Sequence, residues 1–128
     1  MNRVRLVAEH EAAHAIAAAA LGVHVDGITI DARGNGATLH HGAPDTHTAA
    51  VITAAGDVWN RHLGTVPYED LACDDLARFE REHGLSRLWS ANHEAQQILR
   101  QHRRLVLDLA SRLVTARSIR FPAAPHLI

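Results

Sequence analysis

From Ala8 to Ala20 every residue is alanine apart from two glutamates, two histidines and one isoleucine. Alanine is the strongest helix former, and it leaves a helix thin enough for neighbours to approach its backbone closely. The run therefore predicts a helix, spanning Asn2–Leu21, with Asn2 as N-cap and Gly22 as the C′ residue that ends it. Val4, Val7, Ala8, Ile16 and Ala20 are expected on its buried side.

Inside this helix stands His10-Glu11-Ala12-Ala13-His14, the H-E-x-x-H spacing used by zinc hydrolases. Positions i and i+4 share a helix face, about 6 Å apart. Two imidazoles so placed reach one Zn²⁺ at roughly 2.0–2.1 Å. Glu11 lies about 100° round the helix from His10, on the same side of the site. There it can act on a water at the metal without ligating the metal itself. The chain has eleven histidines, so the motif alone also fits chance. A third ligand and the surrounding sequence must carry the rest.

The bulk numbers narrow the class. At 128 residues the chain is read as one domain, 1–128, with 119–128 an extended tail. Hydrophobic content is 47%, yet aromatic residues are only 4%, which favours close-packed helices over a β-sandwich. A net charge of −1 implies no nucleic acid partner. The single cysteine forms no internal disulfide and suits a reducing compartment. The longest apolar run, Ala15–Leu21, is too short to span a membrane. The expectation is a cytoplasmic protein with no membrane partner.

After Gly22 the periodicity switches to two, with Ile28 and Ile30 facing one way and Thr29 and Asp31 the other. Asn35-Gly36 in the turn Arg33-Gly34-Asn35-Gly36 is a hairpin signal, and Ala37–His41 returns as a second strand. A strand edge beside a peptidase site can pair with an extended substrate; it can equally only cover the helix. Asp45 or Thr46 caps a second helix that runs to Leu63, with Gly64 as its stop. Acids at Asp74 and Asp75 open a third helix ending near His83-Gly84, where they complement the helix dipole or supply a rigid metal ligand. One long amphipathic helix, 90–117, follows. Arg100, His102, Arg103 and Arg104 are read as its solvated face, and Phe121–Ile128 as extended. The fold class is mainly α with a small β-hairpin.

Four segments, in order, resemble the peptidase domain of the FtsH family of zinc proteases, over about residues 5–115. They are His10-Glu11-Ala12-Ala13-His14-Ala15, Ile28–Gly34 with Gly36-Ala37-Thr38, Ala72-Cys73-Asp74-Asp75-Leu76, and the run from Ile98 to Leu113. The resemblance implies an FtsH-peptidase-like, zincin-type helical domain. It implies zinc held by His10, His14 and Asp75, with water in the fourth position and Glu11 as general base. Asp74 is the alternative third ligand, and Cys73 a thiol beside them. No ATPase or transmembrane segment accompanies the likeness, so it implies a stand-alone peptidase working without ATP. Three positions depart from the family pattern: Ala13 replaces a glycine, Asp57 an arginine and Asn60 a glutamate. The other histidines are candidates for an oxyanion donor or for ordinary surface roles. The function expected is a zinc metalloendopeptidase acting on a polypeptide substrate. Its alternatives are a non-catalytic peptide-binding module that keeps the fold, a regulatory peptidase that cuts one partner, and a purely structural helical protein.

Overall fold

A computed structural model describes residues 3–43, 45–67 and 73–121, with the side chains of 73–75 outside the description. The first helix, α1 (Arg3–Ala20), is enclosed on every side, since each residue from Leu6 to Ala18 is buried. The sequence reading gave it one buried face. Its alanines instead admit neighbours all round: α2 (Thr46–His62), α5 (Arg103–Ala116), β1 (His24–Ile30) and β2 (Gly36–His41) all pack against it. Two further helices, α3 (Cys73–His83) and α4 (Leu88–Gln101), pack on α2.

The predicted stops act as expected within the described residues. Gly22 sits at φ +77°, its N–H bonds the Ala19 carbonyl, and the Val23 N–H reaches back to Ala18. That paired pattern is a Schellman cap, and it needs the left-handed residue that glycine supplies. Asp45 caps α2 by accepting from the Thr48 N–H at 2.7 Å. The Asn2 cap lies outside the described residues.

The hairpin forms and gains a partner. β3 (Ser118–Arg120) pairs antiparallel with β1, giving a three-stranded sheet in the order β2-β1-β3. Residues 119 and 120 of the expected extended tail are sheet-paired; 122–128 lie outside the described residues. The hairpin turn is not centred on Asn35-Gly36. Asp31 closes it by accepting from the N–H groups of Arg33 and Asn35, and Gly34 takes the positive φ of 81°. The single long C-terminal helix is a second correction. It breaks at His102 (φ −113°, ψ 24°) into α4 and α5. No glycine or proline marks the break. It lets Ala91, Ala95 and Leu99 face α2 while Val106, Leu109, Ala110 and Leu113 serve α1.

A helix buried all round must find partners for its polar side chains. Glu9 shows how. Its carboxylate is 1% exposed and accepts from Trp59 Nε1 at 2.9 Å, from the Thr65 N–H at 3.0 Å and from the Thr65 hydroxyl, and it pairs with Arg5 Nε at 2.7 Å. Burial alone would raise its pKa. The donors on Thr65, Arg5 and Trp59 outweigh burial and hold it below the ordinary value of 4.5. A depressed carboxylate contributes stability above its unfolded pKa and loses it as pH falls through the folded value. Glu9→Gln is thus expected to destabilise the chelator-treated protein by about 2 kcal/mol at pH 7. The gap from wild type should narrow as pH is lowered from 7 through the acid range below about 4.5 in thermal melts. A gap that stays constant across that range contradicts the assignment.

Candidate metal centre

His10 and His14 lie on successive turns of α1, 4% and 6% exposed. One face of α2 meets them with Ile52, Gly56 and Asn60, each four residues from the next. His10 Nδ1 donates to Asn60 Oδ1 at 2.6 Å, and His14 Nδ1 donates to the Ile52 carbonyl at 2.7 Å. With a proton on each Nδ1, the neutral rings carry their lone pairs on Nε2. The two Nε2 atoms are 3.2 Å apart. Two ligands on a tetrahedral Zn²⁺ with bonds of roughly 2.0–2.1 Å stand about 3.3–3.4 Å from each other. The pair therefore fits a divalent cation in both protonation and spacing.

Gly56 makes this approach possible. A Cβ there would lie 2.5 Å from His10 Nε2, His10 Cε1 and His14 Nε2. No larger residue leaves room for both rings against α2.

Glu11 completes the described set. It is 7% exposed, and its Oε1 accepts from the Thr38 hydroxyl at 2.7 Å. The same hydroxyl is 3.0 Å from the Glu11 carbonyl, which ties β2 to α1 at this point. Gly36 lets the strand settle there, because a Cβ would meet Glu11 Cγ and Val7 Cγ1 at 2.6 Å. A cleft of about 190 Å³ opens beside Glu11 and His14, walled by Thr38 and His40 of β2, Thr53 of α2 and Arg78 of α3.

The structure thus brings together three of the four residues picked from the sequence: His10, Glu11 and His14. Asp75, its alternative Asp74, and Cys73 fall in the first turn of α3, and their side chains lie outside the described residues. Among the described residues no group of three His, Cys, Asp or Glu side chains is arranged to hold a metal ion. Of the remaining described histidines, His40 lines the cleft. His83 stands behind it, with Nε2 3.2 Å from Thr53 Oγ1, and burial pushes its pKa down. His24 and His41 instead share the Asp26 carboxylate on the hairpin.

A family model described as Peptidase M50B-like matches residues 2–65. The chain belongs to the Peptidase M50B-like family. No curated protein matches it. The M50B-like span holds α1, the hairpin and α2, and with them His10, Glu11, His14, Gly56 and Asn60. The family is a metallopeptidase family but not the FtsH type that the four segments resemble. The span ends at residue 65, ahead of the segment carrying Asp75, on which the FtsH resemblance placed its third ligand.

Two features escaped the sequence reading. Gly56 was legible only as a departure-flanking glycine, although its spacing of four from Asn60 set both on one helix face. Thr38 had no distinguishing signal. Asn60 stands out as a departure from the FtsH pattern, yet it orients the His10 ring by accepting from Nδ1, which leaves Nε2 with its lone pair. Asn60→Ala is expected to weaken zinc affinity by about 10–100-fold. A competition titration against a chromophoric chelator measures it, and Asn60→Asp should restore most of the loss. Equal affinity in Asn60→Ala and wild type would mean that His10 is oriented by something else.

Proposed function

We propose that this protein is a zinc-dependent metallopeptidase. The observation that carries the reading is the pair of imidazoles with Nε2 atoms 3.2 Å apart, one of which, His14, lines a cleft together with Glu11. His10 and His14 are two of the ligands, and Asp75, one helical turn before the cleft residue Arg78, is the third, with Asp74 as the alternative. When bound, zinc supplies Lewis-acid polarisation of the scissile carbonyl and acidification of the attacking water.

The chain's own groups do the rest. Thr38 fixes Oε1 of Glu11, which leaves Oε2 to accept a proton from water and return it to the departing amine. Asn60 Oδ1 and the Ile52 carbonyl hold the ring protons on Nδ1, which leaves each Nε2 as the atom that would meet the metal. Among the described residues β2 pairs with β1 along one edge, and its remaining stretch lines the cleft, where an extended substrate backbone can add as a further strand. The M50B-like match supports peptidase ancestry for residues 2–65. The proposed setting is the cytoplasm. Among the described residues no helix is long and apolar enough to cross a membrane.

The test is elemental analysis of protein purified without a metal-affinity tag, paired with casein cleavage. About one zinc per chain, lost in His14→Ala, and chelator-sensitive cleavage support the proposal. Zinc without cleavage of casein selects the binding module, or a peptidase restricted to one partner. Absence of zinc at neutral pH overturns the metal site.

A further inference from the structure

Along β2, Gly36, Thr38 and His40 are partly buried while Ala37, Leu39 and His41 are exposed, so the first three share the face turned toward α1. Gly36 lies against Val7 and Glu11, and the Thr38 hydroxyl bonds Glu11. His40 is the next position on that face, and it lines the cleft with Glu11 and His14. The Nδ1 atom of His40 is buried and has no hydrogen-bond partner among the described residues. Burial also lowers the pKa of the ring, which favours its neutral form. A neutral imidazole has one proton to place. On Nδ1 of His40 that proton would be an orphaned buried N–H, which is rarer and costlier than an orphaned lone pair. The proton therefore belongs on Nε2. His10 and His14 have the opposite assignment, because their Nδ1 protons have acceptors in Asn60 and the Ile52 carbonyl. The ring on β2 thus offers an N–H where the rings on α1 offer lone pairs.

We infer that His40 donates its Nε2–H to the carbonyl oxygen of the scissile peptide bond as that oxygen gains negative charge. The inference rests on the peptidase reading. In this step the water oxygen bonds to the carbonyl carbon, the C=O π pair moves onto the carbonyl oxygen, and the water's proton passes to Glu11. His40 transfers no proton. Its hydrogen bond strengthens as the charge grows, so it favours the transition state over the bound substrate. One strand then serves both partners of the reaction: Thr38 fixes the base, and His40, two residues on, meets the substrate oxygen.

The experiment has three readouts. Long-range proton–nitrogen NMR spectra of histidine-labelled protein, held in chelator at neutral pH, show which ring nitrogen of His40 carries the proton, with His40→Gln assigning the signal. The proton should be on Nε2; a proton on Nδ1, or on both nitrogens, overturns the inference. In zinc-loaded protein, His40→Ala should lower kcat on a casein-derived peptide by about 10²–10³-fold, with KM within about threefold of wild type and zinc content unchanged. His40→Gln keeps an N–H donor and should recover at least about tenfold of that loss. A loss confined to KM, a kcat within about threefold of wild type, or no recovery with glutamine overturns the inference. Acetohydroxamate, a small anion whose oxygens can accept from His40, is titrated into the same zinc-loaded proteins as a readout without turnover. It should bind about tenfold more weakly to His40→Ala than to wild type; equal binding, or none, overturns the inference. Failure of the peptidase reading shows separately, as zinc-loaded wild-type protein that leaves casein uncut. The hydroxamate difference then decides alone whether His40 is a donor to oxygen anions in this cleft.

Discussion

Glu11→Gln is expected to lower peptide cleavage by about 10²–10⁴-fold while leaving zinc content unchanged. The substitution changes little besides the proton chemistry. Glutamine has the same shape, so its amide oxygen can keep the Thr38 hydroxyl bond that Oε1 holds at 2.7 Å. The histidine rings touch other partners, Asn60 and the Ile52 carbonyl, and those are unaltered. What is lost is a carboxylate that can accept a proton and give it back. Initial rates on casein or on a peptide found from it, with zinc measured on the same sample, decide the matter. A residual rate within tenfold of wild type would falsify the general-base role. Zinc lost together with activity would instead make Glu11 part of the metal's own support.

Gly56→Ala should be the most damaging single methyl group in the chain. At an exposed helical position, glycine to alanine is stabilising by about 1 kcal/mol. Here the sign reverses. The added carbon would lie 2.5 Å from both Nε2 atoms, far inside contact distance. The rings cannot swing clear without giving up the Nδ1 bonds to Asn60 and Ile52. The expected outcome is a net loss of about 1–3 kcal/mol in the metal-free protein. Zinc affinity should fall by about 100-fold or more, since ligand orientation alone is worth that much. Thermal melts in chelator and a chelator-competition titration read the two effects. Gly64→Ala is the control: its Cβ would meet nothing closer than 3.4 Å, and its effect should stay within about 0.5 kcal/mol. A Gly56→Ala protein with normal stability and normal zinc affinity would place the metal donors elsewhere.

The parts of this molecule that were legible in the sequence are those set by local rules. His10, Glu11 and His14 converge because helical spacing alone puts them on one side. Gly22 and Asp45 end and begin helices through backbone chemistry that a short window contains. The mainly helical fold with its hairpin follows from periodicity. What was not legible depends on contacts distant in sequence. Glu9 acquires its role only when Trp59 and Thr65, fifty and fifty-six residues on, enclose it. Thr38 acquires meaning only when Gly36 lets β2 descend onto α1. The break at His102 has no breaker residue and arises because two segments of one amphipathic run serve different helices. β3 carries just three residues, too few for any pattern to announce.

The enclosure of α1 has a consequence for how such a protein can change over time. Its reactive residues and its interior are the same stretch of chain, so a substitution that retunes the metal site also disturbs the packing that keeps the molecule folded. Divergence in what the protein acts upon is then channelled to the cleft's outer walls, β2 and α3, where Leu39 and Leu76 already face solvent and a new side chain costs little. Loading with zinc should conversely tighten the whole molecule rather than one corner of it, because the ion would join two turns of the central helix to whatever third group meets them.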